Sequence, residues 1–228
     1  ANVKVITSYP GSPTPEIANA IKSIKKEERP FYFEFSTNEK VALEVAFGAA
    51  INGNLSTVFF KSVGLNVAAD SFVQLPLMEI TGGMVVILGD DPGANSSQNE
   101  QDNRHYAHMS YMPVFEPANA QEVYEMYKEA ARVSKEKQMP VILRLTTHTC
   151  HAKEKVNFSS YIKKDIPYRN EFNIDNGPYI PLTATSLIMK KRALNKLKNF
   201  EDYVESSSIN KLENYNSNIG IITMGVPY

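Results

Sequence analysis

Six short apolar runs recur along this chain, and helix-length segments separate them. The runs at 3–7, 31–35, 57–60, 84–88, 113–115 and 141–145 have the length and makeup of strands buried on both faces. Helical patterns at 15–26, 39–51, 67–80, about 100–109 and 121–137 fall between them. Such beta-alpha alternation predicts an α/β fold, a doubly wound parallel six-stranded sheet with right-handed crossovers. Ligands of such sheets bind outside the carboxyl ends of the strands, so the segments that come after each strand are the informative ones.

Composition narrows the class. With 228 residues and 43% hydrophobic content the chain has enough apolar surface for a sizeable core. Twenty-four basic residues against 25 acidic ones leave a net charge of -1, which favours neither nucleic acid nor an anionic membrane as a partner. Cys150 stands alone, so there is no internal disulfide and no cysteine set to hold an iron-sulfur cluster in these residues, and a reducing, cytoplasmic setting is expected. No apolar run approaches the roughly 20 residues that span a bilayer.

Residues 1–152 read as one domain. A polar stretch and a charged helix at about 183–207 make 153–216 a connector, and an apolar run at 219–223 is expected to be a buried strand opening a further domain at 217–228. Because strand patterns lie almost at both termini, truncation at both ends is expected.

Four segments after strands carry candidate chemistry. The first, Tyr9-Pro10-Gly11-Ser12-Pro13-Thr14, combines a glycine that admits close approach with helix-starting residues, and taken by itself reads first as a well-made strand-to-helix turn. In the second, Asn38-Glu39-Lys40-Val41-Ala42-Leu43-Glu44, a step of about 100° per residue puts Glu39 on the stripe of Ala42, Leu43, Ala46 and Ala50. Glu39 therefore faces the packed side, although an acid at a helix start is ordinarily a surface residue favoured by the dipole. The third is Lys61-Ser62-Val63-Gly64-Leu65-Asn66-Val67-Ala68-Ala69-Asp70, where Gly64 and Asn66 are best placed to approach a ligand. The fourth is a long polar loop from Gly89 to Tyr106, of a length that is uncommon in compact domains without a function. Its Asp90 and Asp91 do not have the spacing of an EF-hand, and the pairs His105/His108 and His148/His151 lack the second cysteine or further ligands of a zinc site. No G-x-S-x-G, P-loop or G-x-G-x-x-G occurs.

In order and content these four segments closely resemble the alpha subunits of indolepyruvate ferredoxin oxidoreductases, which are thiamine-diphosphate-dependent 2-oxoacid:ferredoxin oxidoreductases. The likeness extends over about 3–151, with 219–228 similar to the opening of that family's next domain. The resemblance implies a pyrimidine-binding domain in which Glu39 hydrogen-bonds the aminopyrimidine ring of thiamine diphosphate. A carboxyl there favours the tautomer whose exocyclic nitrogen takes the C2 proton. It also implies cofactor contacts from Tyr9, Gly11, Ser12, Val63, Gly64, Leu65 and Asn66, and a substrate side shaped by Ser96, Ser97, Gln98, Asn99 and Arg104.

The reaction so implied is oxidative decarboxylation of an aryl 2-oxoacid with coenzyme A, reducing ferredoxin. The pyruvate and 2-oxoglutarate types, or a non-catalytic assembly domain, are the alternatives. The family's Mg2+ grip on the diphosphate uses a Gly-Asp-Gly pattern that Gly89-Asp90-Asp91 matches only superficially. That grip, the 4Fe-4S clusters, a beta subunit and a second alpha chain are expected outside these residues.

Overall fold

The computed structural model describes residues 1–160 and 166–228. Six strands, β1 (Val5–Ser8), β2 (Tyr32–Phe35), β3 (Ser56–Lys61), β4 (Met84–Asp90), β5 (Val114–Phe115) and β6 (Val141–Thr146), form one sheet in the order β2-β1-β3-β4-β6-β5. Every pairing is parallel. The central strands are apolar on both faces: β4 is buried along its whole length, as parallel strands under two helical layers must be.

Among the described residues there are seven helices: α1 (Pro15–Ser23), α2 (Glu39–Ile51), α3 (Gly64–Gln74), α4 (Arg104–Ser110), α5 (Ala120–Lys137), α6 (Thr147–His151) and α7 (Thr183–Ser206). The right-handed crossover rule sorts the connecting helices. The steps β1 to β2 and β5 to β6 run one way along the sheet, and the other three steps run back. Accordingly Ala18 and Ile21 of α1 share a core with Met126 and Ala130 of α5. On the opposite face Ala42 and Leu43 of α2, Leu65 and Phe72 of α3 and Ala107 of α4 pack together.

Local chemistry sets the helix ends. Asn38 caps α2 by accepting the Val41 N–H at 2.9 Å, and Asn119 caps α5 by accepting that of Glu122 at 2.9 Å. α3 begins three residues before the expected 67 and stops at Gln74, where a 3₁₀ turn (Leu75–Leu77) carries Pro76, which has no N–H to continue the ladder. α4 begins at Arg104 and not near 100, because the Asn103 N–H is given to Asp90 Oδ2 at 3.1 Å. α1 ends at Ser23, short of the expected 26, as Ile24 turns to extended backbone.

Beyond β6, α7 is packed on the domain: Phe200 lies in the same core as α5, and Lys196 bonds Gln138 O at 2.8 Å and Glu79 at 2.7 Å. The expected buried strand at 219–223 does not form. Ile219, Ile221 and Ile222 are exposed, and no strand among the described residues pairs with them; a strand without a ladder has neither backbone partners nor a buried face. Among the described residues no helix is long and apolar enough to cross a membrane.

One buried ion pair braces the middle of the sheet. Arg144 of β6 donates from Nε to Asp90 Oδ2 of β4 at 2.7 Å and from a terminal nitrogen to Glu116 at 2.6 Å, with Asp90 wholly buried. Replacing Arg144 by Ala strands Asp90 without its cation, and denaturant unfolding is expected to show a loss of about 3–5 kcal/mol.

Candidate functional site

The winding direction reverses at β1. From β1 the chain goes to β2 on one side, then crosses back to β3 on the other, so the segments leaving β1 and β3 diverge at the carboxyl end of the sheet. A crevice opens at such a switch point. Two side-chain bonds fix its walls: Thr7 Oγ1 donates to Ala42 O of α2 at 2.6 Å, and Ser8 Oγ to Phe59 O of β3 at 2.7 Å.

Glu39, the first residue of α2, lies at this end of the sheet and is only 4% exposed. Its carboxylate has no hydrogen-bond or ion-pair partner among the described residues, whereas the neighbouring acids Glu44 and Asp70 are engaged by Ser71 and Lys40. With the rest of the residue buried, the carboxylate oxygens still reach the opening, where a ligand can supply the donor that the protein does not. Gly64, at the start of α3, lies against it. A Cβ there would come within 2.5 Å of Glu39 Oε1 and 2.7 Å of Cγ, so any side chain at 64 would displace the carboxyl. Glycine at this position keeps the acid in place and its surroundings open.

The other expected cofactor contacts divide. Gly11 and Ser12 lie in the segment after β1 beside this crevice, Tyr9 is exposed at the strand end, and Val63 is half-buried just before α3. The Leu65 side chain is fully buried in the core, which leaves its backbone for a ligand. Asn66 is a clasp, donating to Gln101 at 2.9 Å and accepting from Tyr106 at 3.0 Å, and so ties α3 to the loop after β4.

That loop is ordered from within. The carboxylate of Asp91 accepts the N–H groups of Ser96 at 2.7 Å and Ser97 at 2.9 Å. Burial pushes the Asp91 carboxyl up, but the Ser96 N–H, the Asn95 amide and Ser97 outweigh it and hold the group at about 2. The Ser96 hydroxyl reaches Ser12 Oγ at 3.2 Å, so the loop closes over the segment after β1. Gln98 accepts from Lys61 at 3.4 Å, and Asn99 is exposed.

Arg104, expected on the substrate side, is engaged by a neighbouring acid. Its guanidinium forks onto Asp102 at 2.6–3.0 Å, and it lines a cavity of about 690 Å³ with Phe115, Glu116 and Tyr203, which does not include Glu39. Its charge is matched on the far side of the loop. Burial pushes Asp90 up against the pull of Arg144 and Asn103, so the two adjacent aspartates serve the sheet brace and the loop and share no ligand. Among the described residues no three His, Cys, Asp or Glu side chains converge as a metal site. Cys150 is pushed up to about 12 by burial and by Glu16, an inert thiol.

Sequence reasoning passed over Lys61, the last residue of β3. A cation closing a buried apolar run was visible at 61, but its direction was not.

The family model described as pyruvate flavodoxin/ferredoxin oxidoreductase, thiamine diP-bdg, matches residues 1–217. The chain belongs to this family. Curated relatives named indolepyruvate oxidoreductase subunit IorA are 41% identical over 227 residues in Methanothermobacter marburgensis and 36% over 231 in Archaeoglobus fulgidus. These alignments take in 99% and 100% of this chain but 36% and 37% of the relatives, so the chain spans little more than a third of their length. A solved 2-oxoglutarate:ferredoxin oxidoreductase from Magnetococcus marinus shares the fold at TM-score 0.66 and 15% identity, over 89% of this chain and 42% of that one.

Because Asp91 is held below its unfolded value of 3.8, the stability it contributes is complete above that value and is lost as pH falls toward about 2. Between about pH 4 and 2 the unfolding midpoint of the wild type should therefore fall more steeply than that of Asp91→Asn, as measured in urea at a series of pH values.

Proposed function

We propose that this chain supplies the pyrimidine side of a thiamine diphosphate site in an enzyme that oxidatively decarboxylates 2-oxoacids, with aryl acids of the indolepyruvate kind as substrates. The observation that carries this reading is Glu39, a buried residue at the switch point whose carboxyl has no protein donor and faces glycine. An aminopyrimidine ring offers the missing partner: a nitrogen with which a carboxyl shares a proton.

When bound, thiamine diphosphate supplies the carbanion chemistry that lets a 2-oxoacid lose carbon dioxide. The residues of this chain prepare for it. Glu39 holds the proton at the ring nitrogen and so governs the basicity of the amino group across the ring. Gly64 lets the ring approach the carboxyl, the Val63 and Leu65 backbone edges that approach, and Ser12 with Ser96 and Ser97 forms the opposite lip. Gln98, Asn99 and Tyr9 border the opening where the 2-oxoacid enters, and the loop that Asp91 orders limits water there.

The identity to relatives named indolepyruvate oxidoreductase supports an aryl substrate, and the family description supports ferredoxin or flavodoxin as electron acceptor. Coenzyme A as acyl acceptor belongs to the same reading. Asp90 and Asp91 are committed to Arg144 and to loop N–H groups, so they do not fit a Mg2+ grip on the diphosphate. That grip, the 4Fe-4S clusters and the beta subunit are assigned to further sequence and partner chains, with a second alpha chain completing the assembly.

In the assembled full-length enzyme, Glu39→Gln is expected to slow thiamine C2 proton exchange and turnover by about 10²–10⁴-fold. Exchange at the wild-type rate would instead make this an assembly domain. Gly64→Ala, whose new Cβ meets the carboxyl, should lower exchange in the same direction while the thermal midpoint moves little.

A further inference from the structure

We infer that Lys61 is the cation that receives the carboxylate of the 2-oxoacid. The inference rests on the Glu39 crevice being the thiamine site, and it assigns the substrate's charge to a residue of β3 in place of Arg104.

Lys61 closes β3, one of the two strands that flank the switch point, and the chain then runs through Ser62 and Val63 to Gly64 over Glu39. Its stem lies across the segment after β1. A Cβ at Gly11 would sit 2.6 Å from Lys61 Cδ and 2.8 Å from Cγ, so the glycine leaves the channel through which the lysine reaches the opening. Lys61 is half-buried as a residue; its ammonium makes one long, solvent-exposed hydrogen bond, 3.4 Å to Gln98 Oε1, and no acidic side chain pairs with it among the described residues.

The neighbouring cations differ. Lys40 is paired with Asp70 at 2.8 Å, Arg144 with Asp90 and Glu116, and Arg104 with Asp102, so these charges around the carboxyl ends are already balanced. An ammonium offers three donors and Lys61 uses one, with the Ser12 and Ser96 hydroxyls and the Gln98 amide on the same lip. An anion entering there meets an unmatched positive charge held by a stem that can follow it.

The chemistry also fixes the kinetic signature. The carboxylate carries its full charge in the bound substrate and loses it as carbon dioxide departs, so a cation on it binds the ground state at least as well as the transition state. Its removal raises KM more than it lowers kcat.

The test is Lys61→Met in the assembled enzyme, assayed with indole-3-pyruvate. The expected result is a KM about 10- to 100-fold higher, with a much smaller change in kcat. Lys61→Arg should recover most of the loss. Gly11→Ala, which pushes the stem aside with the charge retained, should raise KM in the same direction and covers the case in which Lys61→Met does not assemble. Calorimetric titration of thiamine-free enzyme with phenylpyruvate should show weaker binding to Lys61→Met. An unchanged KM for the 2-oxoacid overturns the assignment, and so does a raised requirement for thiamine diphosphate alone, which would place the charge on the cofactor. Thiamine C2 exchange separates the two levels. Exchange that depends on Glu39 alongside an unchanged KM sinks Lys61 only, whereas exchange indifferent to Glu39 sinks the thiamine reading beneath it.

Discussion

A right-handed crossover can run either way along a parallel sheet, and in this chain the reversal that matters falls at β1. The geometry of the crevice depends on it. It splits the loops after β1 and β3, puts α1 and α2 on opposite faces, and brings the first turn of α2 over the strand ends. The Thr7 hydroxyl on Ala42 O and the Ser8 hydroxyl on Phe59 O then tie strand to helix and strand to strand at the crevice floor. Glu39 can be buried there because Asn38 caps the helix behind it and Gly64 has no side chain to compete for the space.

Charge is distributed with the same division of labour. Arg144 joins β6 to Asp90 of β4 and to Glu116, holding the far half of the sheet and the root of the polar loop. Asp91 gathers two N–H groups of that loop, and Asn66, Gln101 and Asn103 lace it to α3 and to the Ser62 carbonyl. These groups are satisfied and serve stability. The Glu39 carboxylate and the Lys61 ammonium are left without a counter-charge among the described residues. On that contrast the crevice is proposed as the working surface, whereas in the 690 Å³ cavity near β5 the charges of Arg104 and Glu116 are already paired.

Much of the fold was legible because its signal is local. Runs such as Met84 to Leu88 can only be central strands, and the stripe Glu39, Ala42, Leu43, Ala46, Ala50 marked the buried face of α2, whose limits the pattern also predicted. Helix starts that depend on a distant partner were not legible. α4 waits for Asn103 to finish with Asp90, thirteen residues back on another element. The run at 219–223 has strand composition, yet pairing is decided by a neighbour and none is beside it among the described residues. For Leu65 and Asn66 sequence named the turn but could not say that one side chain points into the core and the other into the loop.

The order of apolar and polar residues by itself determined that this chain is a parallel α/β domain, that its candidate site is to be sought after the strands, and that Glu39 is an acid facing inward. Period and spacing carry that information, because they depend only on backbone geometry. Tertiary structure alone decided which charges are matched. Arg104 and Lys61 look alike along the chain; the first meets Asp102 two residues away, while the second is threaded past Gly11 into an opening where no described acid pairs with it. Electrostatic pairing acts through space, and only the folded arrangement shows which cation still has a charge to offer.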